Sequence, residues 1–357
     1  MKTDKEKVII GADGGDYVPG DEVKNGIQRL VSSFIYEYSK QSKKSLLYYF
    51  YFGRNVEYKG VQAVSLPKPL FGSSFMPVNV IEKKCDIFLG FSGYIPSLLN
   101  ASHCKKILFI HDFAFLKYPE AYRNQKRLAA QTISSLQRAD LIIVFSDYIQ
   151  KEVCEKLPEI DQSRIKRIYA GGDHLLRYER KDSFKGNYFL YVGIIKPIKQ
   201  IEYIFELFAS YKEKTKDSEK ELILIGKKEK KYMKELEKNP HYVAYKKSIR
   251  WVDHVSDTEL ATYYEGATAV LNVSKDEGFC YPVIEALTMG AQVLVNDLPL
   301  YHEYAAYFPN LYIGNSEQLI KKMMKPPPHS ISASSTYDIF TWKSFTEELL
   351  EVIEQLA

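Results

Sequence analysis

Short apolar runs alternate with longer stretches of helical period along this chain, and that alternation limits the fold more than any other feature of the sequence. Continuous apolar runs are typical of parallel strands that are buried on both faces, with helices in the connections between them. The runs fall into a first and a second set: Val8–Gly11, Leu46–Phe52, Ile87–Leu89, Ile107–Ile110, Leu141–Phe145 and Ile165–Tyr169, then Tyr188–Val192, Leu222–Ile225, Ala269–Asn272 and Gln292–Val295. The pattern predicts an α/β protein with two doubly wound, Rossmann-like domains.

The length of the chain agrees with two domains, because 357 residues are about twice an average domain. The polar stretch 170–187 has no clear period and separates the two sets of runs. We therefore predict an N-terminal domain over residues 1–175 and a second domain over 176–340. A last helix over 341–357, capped by Thr341 and apolar along one stripe, is expected to pack back on the N-terminal domain.

The composition excludes several classes of protein. Hydrophobic residues make up 45% of the chain and charged residues 26%, which is incompatible with a disordered protein. The longest apolar run, Leu46–Phe52, has seven residues, whereas a bilayer-spanning helix needs about 20. With no signal-peptide pattern over residues 1–7, we expect a cytoplasmic protein. The four scattered cysteines form no CxxC pair, so neither a disulfide framework nor a structural zinc site is expected.

The charge is unevenly distributed between the two halves. Residues 1–180 carry a net charge of +7, whereas residues 181–357 carry −3. Ordinary surface variation explains this difference as well as an electrostatic role does. Such a role would be attraction to anionic lipid or to a phosphorylated acceptor, at the inner face of a membrane. Nucleic acid is not an expected partner, because no stripe of basic residues with interleaved aromatics occurs.

The most informative segment is 276–290, Asp-Glu-Gly-Phe-Cys-Tyr-Pro-Val-Ile-Glu-Ala-Leu-Thr-Met-Gly. Pro282 suits the first position of a helix, and Gly290 suits its C-terminal stop. The start of such a helix presents backbone N–H groups to an anion such as a diphosphate. Glu285 falls in the first turn of the predicted helix and Glu277 on the loop before it. For each glutamate, a role in ligand binding and a simple structural role are equally open. The structural role would be complementation of the helix dipole for Glu285 and a solvated carboxylate for Glu277.

Another predicted strand of the second half is followed by a glycine and two lysines. Gly193 follows the run Tyr188–Val192, and Lys196 and Lys199 come shortly after it. A cation at the carboxyl end of a strand could neutralise a phosphate leaving group. From the residues alone, a solvated lysine pair is the favoured interpretation.

Two strand ends of the first half also carry candidates. Gly14, Gly15 and Gly26 lie between the first strand and a helix, where they allow close approach of a ligand to the backbone. They lack the GxGxxG spacing of a dinucleotide site. His111 closes the strand Ile107–Ile110, where both a structural and a catalytic role are open.

These segments resemble a known family. Glu277–Glu285 resembles the marker segment of the retaining nucleotide-sugar glycosyltransferases of family four, whose GT-B fold has two Rossmann-like domains facing a cleft. Three further segments of the second half resemble the same family in order and spacing: Val255–Leu260, Tyr264–Ala269 and Gly290–Pro299. In the first half, four segments look like the family's acceptor-domain segments: Asn25–Arg29, His111–Phe115, Tyr118–Glu120 and Arg138–Ser146. The first-half pattern is similar to bacterial mannosyltransferase-like members that build surface polysaccharides.

The resemblance implies roles for the matching positions. Lys199 would bind the diphosphate, Glu277 the donor sugar and Glu285 the donor ribose, while His111 would face the transferred sugar from the other domain. The other implied donor contacts are Gly278, Phe279, Cys280, Tyr281, Val283, Lys196 and Gly193, the backbone near Trp251 and Val252 for the nucleobase, and Gly14, Gly15 and Gly26 beside the diphosphate.

Three positions depart from the family pattern. Ile194 stands where many members have an arginine, and Ile198 where others have a charged residue, so part of the diphosphate clamp would be missing. Lys196 could replace it only as a point charge. Cys280 stands where glycine is common, which would narrow the sugar pocket unless it is simply a small buried hydrophobe.

The function that the resemblance implies is transfer of a hexose, mannose being favoured, from a GDP- or UDP-linked sugar to a glycan or lipid-linked acceptor. No Asp-x-Asp motif occurs in the sequence, which agrees with transfer without a metal or other cofactor. Two alternatives stay open at this point. One is a catalytically silent nucleotide-sugar-binding protein, which the isoleucine at Ile194 favours; the other is a nucleotide-sugar epimerase of the same architecture.

Overall fold

Two parallel β-sheets organise the chain, one in each of two structural units. The computed structural model describes residues 7–23, 25–41, 45–67, 78–100, 103–122, 124–178, 186–326 and 335–357. The first unit comprises Met1–Gly171 and Trp342–Ala357, and the second comprises Gly172–Thr341.

The first unit contains seven described strands and, before the junction, five described α-helices. The strands are β1 (Val8–Asp13), β2 (Ser45–Tyr51), β3 (Gln62–Ser65), β4 (Ile87–Gly90), β5 (Lys105–Ile110), β6 (Leu141–Val144) and β7 (Ile165–Arg167). The helices are α1 (Gly26–Lys40), α2 (Val78–Lys84), α3 (Ala114–Lys117), α4 (Gln125–Arg138) and α5 (Asp147–Lys156). The strand order is β3-β2-β1-β4-β5-β6-β7, all parallel, with Ile10 opposite Leu47 on one side and Ile87 on the other.

The second unit repeats this architecture with six described strands. The strands are β8 (Tyr188–Val192), β9 (Glu221–Ile225), β10 (Ile249–Val252), β11 (Ala269–Asn272), β12 (Val293–Val295) and β13 (Leu311–Ile313). The helices are α6 (Ile201–Thr215), α7 (Lys230–Leu236), α8 (Pro240–Tyr245), α9 (Asp257–Gly266), α10 (Tyr281–Thr288), α11 (Pro299–Ala305) and α12 (Ser316–Met324). The parallel order is β10-β9-β8-β11-β12-β13. The predicted pair of doubly wound parallel sheets is therefore confirmed.

Local sequence signals position these elements. The central strands are buried along nearly their whole length, because helices cover both faces of a parallel sheet. Asn25 caps α1 by accepting from the Gln28 N–H at 3.0 Å, and Ser256 and Glu259 form a capping box at α9. Each cap of this kind contributes about 1 kcal/mol to helix stability.

Three strands were missing from the sequence-based prediction: β3, β10 and β13. All three are edge strands, with one neighbour each. An edge strand needs no continuous apolar run. Gln62 in β3 and Arg250 in β10 interrupt the apolar pattern, so these two strands were not predicted. Tyr169 and Gln292, which the apolar runs included, lie just outside the observed strands.

The last helix, α13 (Trp342–Leu356), belongs to the first unit. Its buried stripe includes Phe345, whose ring lies 6.5 Å from the ring of Phe109 and 6.3 Å from that of Phe145. The Thr341 hydroxyl just before it donates to the Asp338 carbonyl at 2.9 Å. The C-terminal segment thus adds an apolar face to the core of the first unit.

Two predicted connections extend beyond the described residues. Of the predicted linker 170–187, residues 179–185 lie outside them, whereas Asp173–Arg177 forms a 3-10 turn that buries His174. The loop predicted at Lys325–Pro328 follows α12, and its residues 327 and 328 also lie outside the described part of the chain. Within the described ranges, no helix has the length and apolar character needed to cross a bilayer.

Candidate active site

The strand order of the second sheet reverses between β8 and β11, which lie side by side at its centre. Ligands of doubly wound sheets bind in the crevice at the carboxyl ends of the strands where such a reversal occurs. The segments that follow these strands are 193–200 and 273–280, and both carry residues that the sequence singled out. The two are tied together, because the Lys275 N–H donates to the Ile198 carbonyl at 2.8 Å.

Lys199 and Glu277 form an ion pair at this edge. The Lys199 Nζ lies 2.5 Å from the Glu277 Oε1, across 78 residues of sequence. Lys199 is held by a 3-10 turn over Pro197–Lys199 that leads into α6. Glu277 is only 8% exposed, so the interpretation of a solvated carboxylate is wrong for this residue. The structure therefore brings together two of the predicted site residues as a partly buried charge pair.

A polar network supports Glu277 from the strand side. The Ser274 hydroxyl donates to the Glu277 Oε1 at 2.6 Å, and the Asn296 amide donates to the Ser274 carbonyl at 2.9 Å. The Asn272 Oδ1 accepts from the Tyr301 hydroxyl at 2.8 Å. Sequence reasoning missed Ser274, Asn272 and Tyr301. A signal for this network was present in the sequence, because Asn272 and Ser274 are polar residues at the end of an apolar strand, and both are buried.

Cys280 joins this network at the start of α10. Its thiol accepts from the Asn272 amide at 3.3 Å, and its backbone adopts φ +57°, the left-handed region where glycine is favoured. Burial raises the pKa of the Cys280 thiol well above its usual range, and the nearby Glu277 carboxylate acts in the same direction. The thiol is therefore neutral at physiological pH. The same two influences raise the pKa of the buried Tyr191 phenol.

The start of α10 is closely packed. The helix begins at Tyr281, with Pro282 second, and the Val283 N–H donates to the Cys280 carbonyl at 3.0 Å. Val283 is fully buried, and the Tyr304 hydroxyl donates to the Phe279 carbonyl at 2.6 Å. The Phe279 and Tyr281 rings meet edge to face at 5.0 Å. These contacts fix the backbone of the Gly278–Tyr281 loop.

Glu285 lies deeper in α10 than the sequence suggested. It is the fifth helical residue, beyond the first turn, so its assignment to the first turn is wrong, as is simple dipole complementation. The reason is that the helix begins one residue before the proline. Glu285 is 5% exposed; the Tyr264 hydroxyl donates to its Oε2 at 3.0 Å, and the His174 Nε2 lies 3.3 Å from its Oε1. Both oxygens thus lie beside buried side chains, and neither neighbour was predicted as a site residue.

The loop after β8 is shaped by close approach of two backbones. Gly193 donates its N–H to the Ile225 carbonyl at 2.9 Å, and a Cβ at Gly226 would lie 2.0 Å from the Gly193 oxygen. Ile194 is 44% exposed, whereas Ile198 is buried. The Lys196 carbonyl accepts from the Lys199 N–H at 2.9 Å and so closes the turn that presents Lys199.

Trp251 and Val252, predicted to lie beside a nucleobase, are the last residues of the edge strand β10. The Val252 carbonyl accepts from the Gly226 N–H at 2.9 Å. The Trp251 indole N–H donates to the Tyr242 hydroxyl at 3.2 Å, and its ring packs against Phe205. The Trp251 indole therefore contacts side chains of the helices α6 and α8, while the backbone of both residues belongs to the edge strand β10.

The first unit carries the remaining candidates, and its own strand order reverses between β1 and β4. Asp13 ends β1 and accepts from the Gly15 N–H at 3.0 Å and the Ser92 N–H at 3.3 Å. Burial raises the pKa of this carboxyl, although these hydrogen bonds oppose the shift. Gly14 and Gly15 form the tight loop that follows, and Gly26 is the first residue of α1.

His111 follows β5 in the same unit. Its Nε2 lies 2.7 Å from the Phe91 carbonyl, an acceptor, so this nitrogen carries the proton. The ring stacks on Phe145 with centroids 5.3 Å apart. Burial lowers the pKa of the imidazole, which keeps it neutral at physiological pH. Across the described ranges, no group of three or more His, Cys, Asp and Glu residues could hold a metal ion.

Comparisons with known proteins agree with this architecture. Residues 177–325 match the family described as Glycosyl transferases group 1, and residues 90–156 match the N-terminal domain of Glucosyltransferase 3-like proteins. Over 246 residues the chain is 28% identical to the O-antigen chain mannosyltransferase RfbU of Salmonella typhimurium. That alignment covers 68% of this chain and 66% of the relative, slightly less than two thirds of its length.

Solved structures share the fold at low sequence identity. Sucrose-phosphate synthase from Thermosynechococcus elongatus superimposes with a TM-score of 0.75 at 14% identity, covering 98% of this chain and 99% of that one. HepE from Anabaena, in complex with UDP and glucose, gives a TM-score of 0.73 at 15% identity with the same coverage. The two parallel-sheet α/β units define the chain as a protein of the GT-B fold. Within that class, residues 177–325 form a glycosyltransferase group 1 domain.

Proposed function

We propose that the chain is a retaining glycosyltransferase that moves a hexose, mannose being favoured, from a GDP- or UDP-linked sugar to a glycan or lipid-linked acceptor. The observation that carries this proposal is the Lys199–Glu277 pair, with 2.5 Å between Nζ and Oε1, at the strand reversal of the second sheet. The Salmonella relative is an O-antigen chain mannosyltransferase, which supports mannose as the sugar and surface polysaccharide as the product.

The proposed roles follow from the charges that develop during transfer. Departure of the nucleoside diphosphate leaves negative charge on its phosphates and positive character on the sugar ring. Lys199 offsets the first charge, together with the N-terminal end of α10 and Lys196. Glu277 binds hydroxyls of the donor sugar, and Glu285 binds the ribose. The other positions that we assign to the reaction or to donor binding are His111, Gly14, Gly15, Gly26, Gly193, Trp251, Val252, Gly278, Phe279, Cys280, Tyr281 and Val283.

The ion pair explains how Lys199 is held ready for the donor. A buried charge without a partner is costly, and Glu277 supplies that partner for Lys199. When phosphate oxygens arrive, they replace Glu277 as the counter-charge for Lys199. Ser274 keeps the Glu277 Oε1 in position, so the carboxylate becomes available to the hydroxyl groups of the sugar.

Retention requires that the acceptor hydroxyl attack from the face that the diphosphate leaves. In this proposal a phosphate oxygen of the leaving group takes the hydroxyl proton, so no protein base is needed. The sequence contains no Asp-x-Asp motif, which supports transfer without a metal. Addition of EDTA is therefore expected to leave the rate unchanged.

The direct test is release of GDP or UDP by the purified chain, with a nucleotide sugar and a saccharide acceptor present. Glu277→Ala is expected to abolish turnover, whereas Asp297→Ala, which removes an exposed carboxylate beyond β12, should retain it. NMR of the product should show the anomeric configuration of the donor. Full turnover by the Glu277 variant would refute the site assignment, and an inverted product would refute the proposed stereochemistry.

A silent nucleotide-sugar-binding protein is the second candidate, and the exposed Ile194 is the observation that favours it. Such a protein would gain thermal stability with a nucleotide sugar yet release no diphosphate with any acceptor. A panel of nucleotides in the same assay also identifies the base, because a shift with GDP but not UDP supports mannose. An epimerase would convert the donor sugar in the absence of any acceptor.

The proposed partners are thus a nucleotide sugar and a glycan or lipid-linked acceptor. Transfer to a lipid-linked acceptor brings the chain to the inner face of a membrane, as a peripheral protein. The net charge of +7 over residues 1–180 supports attraction of the first half to anionic lipid.

A further inference from the structure

The densest basic segment of the chain lies in the second half, which is acidic as a whole. Residues 227–250 contain eight lysines and one arginine against three glutamates, a net charge of +6. The remainder of residues 181–357 carries a net charge of −9. The weak charge of this half therefore conceals two regions of opposite sign.

This segment folds into α7, α8 and the 3-10 turn Lys246–Ser248 that leads into β10. We call the exposed part of residues 227–250 the α7–α8 surface. Seven of its lysines are exposed: Lys227, Lys230, Lys231, Lys234, Lys238, Lys246 and Lys247. Among the residues that the structure describes, none of the seven has a carboxylate within 4.0 Å, whereas Lys228 pairs with Asp253 at 2.8 Å. Their positive charge is therefore directed to solvent.

An apolar residue and a shallow pocket interrupt the lysines. Val243 on α8 is 60% exposed, the largest exposed fraction among the large hydrophobic side chains of the described residues. The pocket has a volume of about 510 Å³, and its lining includes Lys228, Lys230 and Lys234, one carboxylate, Glu237, and the apolar side chains of Met233 and Trp251. Cationic side chains around an apolar patch suit the boundary between lipid headgroups and acyl chains.

The same residues argue against nucleic acid as the partner. Single-stranded nucleic acids stack their bases on available aromatic rings. Here Tyr242 is buried, and Trp251 packs on Phe205 and donates to the Tyr242 hydroxyl. Lysine, a compact point charge, greatly outnumbers arginine, whose planar fork is suited to bidentate contacts. A diffuse anionic surface fits this composition best.

Backbone hydrogen bonds connect the α7–α8 surface to the loop that holds Lys199. The Ile195 N–H donates to the Lys227 carbonyl at 2.9 Å, and the Glu229 N–H donates back to the Ile195 carbonyl at 3.0 Å. At the other end of the loop, the Ile201 N–H donates to the Tyr232 hydroxyl of α7 at 3.0 Å. A membrane bound to this surface would thus lie beside the strand ends that carry the candidate active site.

We propose that the α7–α8 surface docks the chain on an anionic lipid bilayer. The proposal goes beyond the proposed function, because it places membrane contact in the second unit and stands whether or not the chain transfers a sugar. Each lysine near a negatively charged leaflet adds to the attraction, and the attraction weakens within a Debye length as salt is added.

The test is co-sedimentation of the full chain with vesicles of phosphatidylglycerol and phosphatidylcholine, or of phosphatidylcholine alone. Binding is expected only with phosphatidylglycerol and should fall as salt rises. Replacing Lys230, Lys231 and Lys234 together with glutamine should weaken binding roughly 100-fold at low salt. The matched control replaces three exposed lysines of the same unit: Lys214→Gln, Lys321→Gln and Lys325→Gln. Because both variants lose three charges, an unchanged affinity in the control shows that position, not net charge, decides.

Several outcomes would overturn the proposal. Equal binding by the α7–α8 variant and its control would do so, as would equal binding to neutral vesicles. A variant with three exposed basic residues of the first unit replaced, Lys59→Gln with Lys126→Gln and Arg127→Gln, tests the basic first half. Loss of binding in that variant alone would move the contact to the first half. Binding of a single-stranded oligonucleotide but not of vesicles would assign the surface to nucleic acid. Thermal unfolding and diphosphate release, measured on each variant, separate these outcomes from misfolding and from failure of the proposed function.

Discussion

The two units place the same topological feature at the centre of their sheets but equip it differently. In the second unit, the ends of β8 and β11 hold a lysine and a glutamate from different loops in direct contact. In the first unit, the ends of β1 and β4 hold Asp13, whose oxygens accept from the backbone of Gly15 and Ser92. One strand reversal presents side-chain charge, and the other presents a fixed backbone.

This difference indicates where the chemistry is concentrated. Asp13 accepts from the backbone N–H groups of Gly15 and Ser92 and from the Ser92 side chain, and these contacts hold the loop after β1 in one conformation. The partners of Glu277 are the side chains of Lys199 and Ser274, and a diphosphate can compete for the lysine. The same fold position therefore supplies rigidity in one unit and an exchangeable ion pair in the other.

Removing the exchangeable charge should have the largest effect. Lys199→Met is expected to lower kcat for diphosphate release by roughly 10² to 10³, because a cation at the leaving group stabilises the transition state. The control is Lys275→Met, which removes an exposed lysine from the adjoining loop. Steady-state kinetics on both variants measure the effect. Equal rates for the two would show that the ion pair has only a structural role.

The sequence predicted the architecture of both sheets, and the reason is physical. Central parallel strands are buried on both faces, so their apolar runs are continuous and visible, as at β4 and β11. The edge strands β3, β10 and β13 were not predicted, because a strand with one open edge tolerates polar residues.

The candidate site was only partly predictable. Lys199 and Glu277 were found separately, from a strand end and from a resemblance, but no local pattern states that their side chains meet. Ser274, Tyr264 and His174 were missed because each acts through a contact distant in sequence or through burial.

Altering the fixed backbone of the first unit should have an intermediate effect, on stability. A Cβ at Gly14 would lie 2.0 Å from the ring of Tyr49, which is buried and whose hydroxyl donates to the Gly14 carbonyl. We expect Gly14→Ala to lower the free energy of unfolding by about 3 kcal/mol, measured by urea denaturation. The control is Gly20→Ala: its φ is +88° and no atom lies within 4 Å of the added Cβ, so about 1 kcal/mol of left-handed strain is expected.

The order of these two losses tests the comparison between the units. Gly14→Ala changes the space beside the loop, whereas Gly20→Ala changes mainly the backbone preference of one residue. A smaller loss for Gly14→Ala than for Gly20→Ala would show that the loop after β1 shifts readily. The contrast between a rigid and an exchangeable strand reversal would then fail.

The smallest expected effect is the pH dependence that His111 gives to the first unit. Burial lowers the pKa of this imidazole below its usual value of 6.5 in the folded chain. As the pH falls through about 6.5, the unfolded chain therefore takes up a proton before the folded chain does, and the free energy of unfolding decreases. One such group contributes at most about 1.4 kcal/mol per pH unit. His111→Gln keeps an amide that can donate to the Phe91 carbonyl but has no titrating group. In this variant the decrease in the free energy of unfolding that His111 causes below pH 6.5 should vanish, as measured by urea titrations on both sides of that pH. Parallel pH profiles for the variant and the natural chain would mean that the imidazole is protonated as easily in the folded unit as in the unfolded chain.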